Sequence, residues 1–244
     1  VTVSSTLSEE PIRKRVIQRM PLIFHVAGTG ERLTVSPERL VIAGYTAKDE
    51  TSVAAHIAEL AEIGVPAPPS VPAFYDLDPA LLTPEPVVEV SGAKTSGEVE
   101  PVIIRHEGRF FLAVGSDHTD REIERTGIAE SKAACPKPVG GTVADIGSVR
   151  SGLSTLDWDG VLAEADVDGQ PYQKGAISTL RYPSELLERM TATLGEVTGD
   201  LVLFCGTLPL PGGRFEYGTS WRIRVELPDG TALSHAYEAT PPSG

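Results

Sequence analysis

The residues best suited to chemistry in this chain lie between Ser96 and Lys132, in SGEVEPVIIRHEGRFFLAVGSDHTDREIERTGIAESK. Glu98 and Glu100 stand two apart in an extended run, so their side chains share one strand face. His106, Glu107 and Gly108 then form a turn, and a second apolar run ends in Gly115, Ser116 and Asp117. A hairpin of this kind returns Asp117 to the two glutamates. Three carboxylates at one point repel one another unless a cation lies between them. An all-oxygen donor set suits a hard divalent ion, Mg²⁺ or Mn²⁺, with positions left for water or ligand oxygens. Arg121 and Lys132 follow closely enough to meet an anionic ligand. The plainer alternative makes Glu98 and Glu100 the wet face of an edge strand and pairs Arg121 with Glu124 or Asp120.

A second constellation lies upstream. Asp49 to Gly64 reads as a helix, with Asp49, Thr51 or Ser52 as its cap, Val53, Ile57 and Leu60 near one stripe, and Gly64 with Pro66 at its end. His56 and Glu59, three apart, are neighbours on its surface. A carboxylate beside an imidazole fixes the ring's tautomer and raises its basicity, so the pair could take a proton from water. A surface ion pair is the alternative. His25, between Phe24 and Val26 in the first strand, reads as a structural histidine.

The elements that must position these groups are mostly strands. PLIFHVAG and LTVS flank a turn at Gly28-Thr29-Gly30, and Leu40 to Tyr45 is an apolar strand. Residues 65–86 carry seven prolines and read as an irregular connection. Phe74 and Tyr75 within it either pack on the core or line a pocket. From Pro138 to about Leu156 the pattern specifies little. Val161, Ala163, Ala165 and Val167 then share a strand face, Asp168-Gly169 marks a hairpin tip, and Pro183 to Leu194 is a helix. The unbroken apolar run from Leu201 is a strand buried on both faces that delivers Gly206 and Thr207. A glycine lets the backbone approach a ligand, and a threonine hydroxyl can hydrogen-bond a carboxylate. WRIRVELP and TALSHAYE, joined at Asp229-Gly230, close the chain.

Composition narrows the field. The chain has 244 residues, 41% of them hydrophobic, enough for one large domain or a small one beside a large one. A net charge of -13 argues against nucleic acid or an anionic membrane surface as partner and suits a protein that concentrates a metal cation. Cys135 and Cys205, far apart, indicate neither a disulfide framework nor a zinc site, so a reducing cytoplasm is expected. No run approaches the roughly 20 apolar residues of a membrane span, the first residues lack the apolar core of a signal peptide, and residues 1 to about 18 are expected to be loosely ordered.

The order of these motifs resembles the fumarylacetoacetate hydrolase superfamily, and within it an uncharacterised bacterial branch. The resemblance rests on Glu98-Val99-Glu100, on Asp117-His118-Thr119-Asp120-Arg121-Glu122 in the place of a D-x-T/S-x-R-D/E segment, and on Lys132-Ala133-Ala134-Cys135-Pro136 in the place of a lysine shortly before C-P. It covers most of residues 40–237. It implies a β-rich α+β fold, a mixed β-sheet roll, with residues 1–39 as an N-terminal extension and small β portion and 40–244 as the catalytic domain. It also implies a homodimer. By the same resemblance Glu98, Glu100 and Asp117 hold Mg²⁺ or Mn²⁺, and His56 with Glu59, on a mobile lid, activates the attacking water. Lys132 and Arg121 hold substrate charge, and Gly206-Thr207 meets the substrate's acid group. Tyr45 stands beside Gly44 where the family has a G-x-x-Y-like strand end. Two departures are plain: Tyr45 follows its glycine immediately, and Leu208 replaces the proline of a G-T-P segment.

The activity implied is hydrolysis of a carbon–carbon bond in a small, anionic 1,3-dicarbonyl or 2-oxo acid through an enolate that the metal stabilises. Decarboxylation, tautomerisation or hydration of a 2-oxo acid at the same site is the alternative, and a non-catalytic small-acid-binding protein is a third possibility.

Overall fold

The computed structural model describes residues 21–62, 64–148 and 156–242. The expectation for the first 18 residues therefore lies outside the described chain. β1 (Leu22–Val26) and β2 (Arg32–Val35) form the expected antiparallel hairpin, with His25 exposed on its outer face. β3 (Arg39–Gly44) leads into α1 (Glu50–Glu62). Asp49 caps this helix, accepting from the Thr51 N–H at 3.0 Å and the Ser52 hydroxyl at 2.5 Å. Of the helix's described side chains only Val53 is buried.

The proline-rich stretch is less irregular than its composition suggests. Between Pro72 and Pro79 the sequence alternates as a strand should, and β4 (Ala73–Leu77) pairs antiparallel with β3. An edge strand has one ladder to satisfy, so flanking prolines do it no harm. The short β5 (Leu82–Thr83), β6 (Val87–Glu89) and β7 (Thr95–Ser96) follow. β8 (Val99–His106) and β9 (Arg109–Ser116) make the long central hairpin, turning through Glu107 and Gly108 at φ 49° and 75°. β10 (Thr119–Asp120), α2 (Ile128–Ala133) and β11 (Lys137–Pro138) come next. The weakly specified segment then yields a full strand, β12 (Thr142–Ser148), with Val143, Ala144 and Ile146 buried. β13 (Leu162–Val167) and β14 (Gln170–Ala176) turn at Asp168-Gly169, α3 spans Pro183–Leu194, and β15 (Leu201–Phe204), β16 (Ser220–Glu226) and β17 (Ala232–Thr240) complete the chain.

These strands build two principal sheets, one of eight in the order β2-β1-β12-β9-β8-β15-β3-β4 and one of five in the order β14-β13-β16-β17-β6. The larger is mixed: β15 runs parallel to β3 and antiparallel to β8, and β1 runs parallel to β12. Both faces of its central strands are buried. Val41, Leu112 and Leu203 point into a core shared with the five-stranded sheet, where they meet Ile223 and Val225. Their neighbours Leu40, Phe111, Val202 and Phe204 point into a second core with Phe24 and Val35. Period-two alternation explains how one strand serves both, and unbroken apolar runs are what burial on both faces requires. The architecture is the β-rich α+β roll expected. The site lies where β8 begins and β9 ends, against the C-terminal end of β15. Among the described residues no helix is long and apolar enough to cross a membrane.

Candidate active site

The central hairpin fixes the carboxylates. Val99 pairs with Ser116 and Glu100 with Gly115 across the ladder, and the Asp117 N–H donates to the Glu98 carbonyl at 3.0 Å. Asp117 therefore returns beside Glu98 and Glu100, as the spacing predicts. Neither Glu100 nor Asp117 is on a wet face: they are 2% and 0% exposed.

Each carboxylate has different company. Asp117 is fully buried against two lysines. Lys132, from α2, meets Oδ2, and Lys137 Nζ lies 3.2 Å from Oδ1. Burial alone would raise the Asp117 carboxyl, but the two ammonium charges hold it well below the usual carboxylate range. Burial would lower Lys132, yet Asp117 and then Glu98 raise it above an ordinary lysine. Lys137 goes the other way, lowered by burial and by Lys132 against the pull of Asp117. Its ammonium also donates to the carbonyls of His118 and Lys132, tying the end of α2 to the Asp117 strand.

Glu98 is paired with Arg121 at 3.1 Å. The Arg121 guanidinium bonds Ser96 Oγ at 2.7 Å and both oxygens of Glu124 at 3.0 and 3.1 Å, and lies 3.8 Å from the centre of the Phe215 ring. The pairing with Glu124 that the plainer alternative names is therefore present, and the same guanidinium lies beside Glu98. Its Nη2 is buried with no hydrogen bond of good geometry. Glu100 accepts from the Gly206 N–H at 2.8 Å. Burial, and then the Asp117 charge, push its carboxyl well above the usual range.

Gly206 brings its backbone close to the side chains of Glu100 and Thr46. Its φ is +96°, and a Cβ there would fall 1.9 Å from Thr46 Oγ1, so only glycine brings this N–H to Glu100. Thr207 is differently employed. Its hydroxyl donates to the Val99 carbonyl at 2.8 Å and accepts from Gln173 Nε2 at 2.9 Å, while Gln173 Oε1 accepts from the Val99 N–H at 3.0 Å. These bonds commit Thr207 to bracing the start of β8. Tyr45 is half-buried beyond β3 at φ 58°, and burial, then Glu124, raise its phenol. The side chains of His56 and Glu59 lie outside the described residues, although their backbone is in α1.

Sequence reasoning missed the groups behind and beside this cluster. His118 Nδ1 meets Tyr237 OH and its Nε2 meets Thr95 Oγ1, each at 2.9 Å. Burial, then the positive Lys137 and Arg121, hold its imidazole down at about 3, so it is a neutral brace for the Asp117 strand. Lys137, flanked by prolines in Cys135-Pro136-Lys137-Pro138, carries no local sign that it is buried. Tyr75 and Tyr172 flank the cluster, and the buried hydroxyl of Tyr75 lacks a partner.

The roll is the fold of fumarylacetoacetate hydrolase-type proteins. A candidate fumarylacetoacetate isomerase/hydrolase from Oleispira antarctica superposes with a TM-score of 0.62 at 17% identity, over 89% of this chain and 99% of that one. A 5-carboxymethyl-2-hydroxymuconate delta-isomerase from Mycobacterium smegmatis gives 0.59 at 15% identity, over 88% and 87%. A 2-keto-3-deoxyarabinonate dehydratase gives 0.58 at 13% identity, over 86% and 76%. No curated protein matches the sequence. Residues 43–237 match the model of a family described as proteins of unknown function, DUF2848, and the chain belongs to that family.

As placed, no three His, Cys, Asp or Glu side chains among the described residues are grouped to hold a metal ion, because Asp117 and Glu98 are turned to lysines and to arginine. The donor chemistry nevertheless fits a divalent ion. Glu100 is buried close enough to Asp117 and Glu98 for both charges to oppose its own, and its one hydrogen bond comes from a neutral N–H. A carboxylate so placed needs a cation to remain ionised.

Proposed function

We propose that this chain is a metal-dependent hydrolase that cleaves a carbon–carbon bond in a small 1,3-dicarbonyl or 2-oxo acid. The observation that carries this reading is the meeting of half-buried Glu98 and fully buried Glu100 and Asp117 with Arg121 and Lys132 at the mouth of one hairpin. Glu98, Glu100 and Asp117 would hold the ion, and bound Mg²⁺ or Mn²⁺ would supply Lewis-acid polarisation of ligand oxygens. Lys132 stays protonated throughout the working range and offers N–H donors to an oxyanion. Arg121, braced by Glu124 and Ser96, meets the acid group of the substrate. His56, oriented by Glu59, takes a proton from the attacking water. Hydroxide adds to the carbonyl carbon, the carbon–carbon bond breaks, and its electron pair leaves as the enolate of an oxo acid, which takes up the proton held by His56, beside a new carboxylic acid.

A second reading, isomerisation, dehydration or decarboxylation at the same site, is favoured by the isomerase and dehydratase among proteins of this fold. None of these needs an activated water. The test follows loss of enol absorbance of acylpyruvates and oxaloacetate with and without Mg²⁺ or Mn²⁺. Metal-dependent turnover by the wild type and none by Glu98→Gln is expected. A drop of about 10²- to 10⁴-fold in His56→Ala supports hydrolysis, whereas full activity there with Glu98 essential supports the second reading. No turnover and no metal bound would remove both.

A further inference from the structure

Among the buried side-chain atoms without a hydrogen-bond partner in the described residues is the hydroxyl of Tyr75, beside the carboxylate cluster. Tyr75 has the least explanation in packing terms. It lies on β4 and is 8% exposed. A Cβ on Gly44 would come within 3.2 Å of its Cε2, so its ring lies across the bare end of β3. α2 packs against β4 and brings Lys132 Nζ within 5.7 Å of the centre of the tyrosine ring. The phenol is near enough for the charges of Lys132, Glu124 and Asp117 to act on it. Burial, and then Tyr45, push it up to about 12, so it remains a neutral donor wherever the protein is folded.

A phenylalanine would fill the same space without the unmatched hydroxyl, whose burial without a partner is unfavourable. What the hydroxyl can offer is a hydrogen bond to an acceptor that is absent from the chain itself. We propose that Tyr75 binds the ligand of this site, donating its O–H to the same negative oxygen that Lys132 faces. This inference rests on the reading of the site as one for a 2-oxo acid. It makes the oxyanion position two-sided, an ammonium on one flank and a phenol on the other, which favours a ligand whose charge gathers on an oxygen rather than one bound through a neutral carbonyl.

The test titrates oxalate, a planar dianion whose adjacent oxygens copy those of an oxo-acid enolate, into wild type, Tyr75→Phe and Glu98→Gln in the presence of Mg²⁺ by calorimetry. Thermal melts are run on each protein without ligand. Oxalate is expected to bind Tyr75→Phe roughly 10- to 100-fold more weakly, the range for a hydrogen bond to a charged group, while the ligand-free variant melts at or above the wild-type temperature. Equal affinity would overturn the inference alone, provided that wild-type binding is lost in Glu98→Gln. A melting temperature lowered together with affinity would assign Tyr75 a structural role and overturn it too. Failure of the wild type to bind oxalate, with Mg²⁺ or Mn²⁺, would remove the site reading and this inference with it.

Discussion

Replacing Asp117 by asparagine tests whether the buried charge cluster is organised as the geometry indicates. In the wild type one carboxylate, 0% exposed, faces two ammonium groups whose side chains are 9% and 0% exposed. Asparagine keeps the shape and removes the one carboxylate charge that is paired with both buried cations. Breaking a buried pair by removing one partner costs about 3–5 kcal/mol, a large share of the roughly 5–15 kcal/mol of a typical domain. At about 2–4 °C per kcal/mol for a chain of this size, the expected fall in melting temperature is about 6–20 °C. The assay is urea unfolding with a chelator present, so that metal linkage does not enter, read as a shift in midpoint at unchanged slope. The Asp117 carboxyl is depressed in the folded state, so its contribution is fully present above the unfolded value near pH 4 and is lost as pH falls through the lower folded value. The gap between wild type and Asp117→Asn should be the same at pH 7 and pH 5 and shrink only in stronger acid. Adding Lys137→Met to the variant removes one uncompensated cation and should recover about 0.5–3 kcal/mol. A loss under about 1 kcal/mol in the single variant, or no recovery in the double, would refute the reasoning.

Two further outcomes follow from the strand ends. Gly206→Ala should destabilise by about 1–3 kcal/mol and sharply reduce turnover, because a Cβ would collide with Thr46 Oγ1 and displace the N–H that holds Glu100. Paired unfolding and rate measurements check it, and normal activity would show that this N–H is dispensable. Thr207→Val should lower stability by about 1–3 kcal/mol through the lost bonds to Val99 and Gln173 while leaving KM nearly unchanged. A selective rise in KM would instead give the hydroxyl to the substrate.

The parts legible in the sequence were those whose signal is local. Glu98, Glu100 and Asp117 come together because a two-residue period and a tight turn at Glu107-Gly108 leave a hairpin little choice. Leu201–Phe204 shows its burial on both faces in four apolar letters, and Asp168-Gly169 marks its own turn. β4 was hidden because seven prolines weigh on the whole segment, although Ala73–Leu77 contains none and alternates. β12 was hidden because its partners, β1 and β9, are distant in sequence and its own residues, TVADIGS, carry only three buried apolar side chains. Lys137 shows the sharper limit. A lysine between prolines reads as exposed loop, and only the pairing of β11 with β5 and the approach of Asp117 bury it.

The distribution of charge at the cluster bears on what it is built to receive. Three cations, Arg121, Lys132 and Lys137, face four carboxylates, Glu98, Glu100, Asp117 and Glu124, and are unevenly placed among them. Asp117 has two ammonium groups, Glu98 shares its arginine with Glu124, and Glu100 has a single neutral N–H. A fold that needed only internal pairing would spread its cations more evenly, since a buried carboxylate without a counter-charge is costly. On the proposed reading a divalent ion held beside Glu100 would supply the counter-charge that this carboxylate lacks. Lys137, wholly buried and bonded to two carbonyls, is then the amine that keeps Asp117 in position. Lys132, on the more open side, is the one left to meet a ligand oxygen, and it is the amine beside which the unmatched Tyr75 hydroxyl lies.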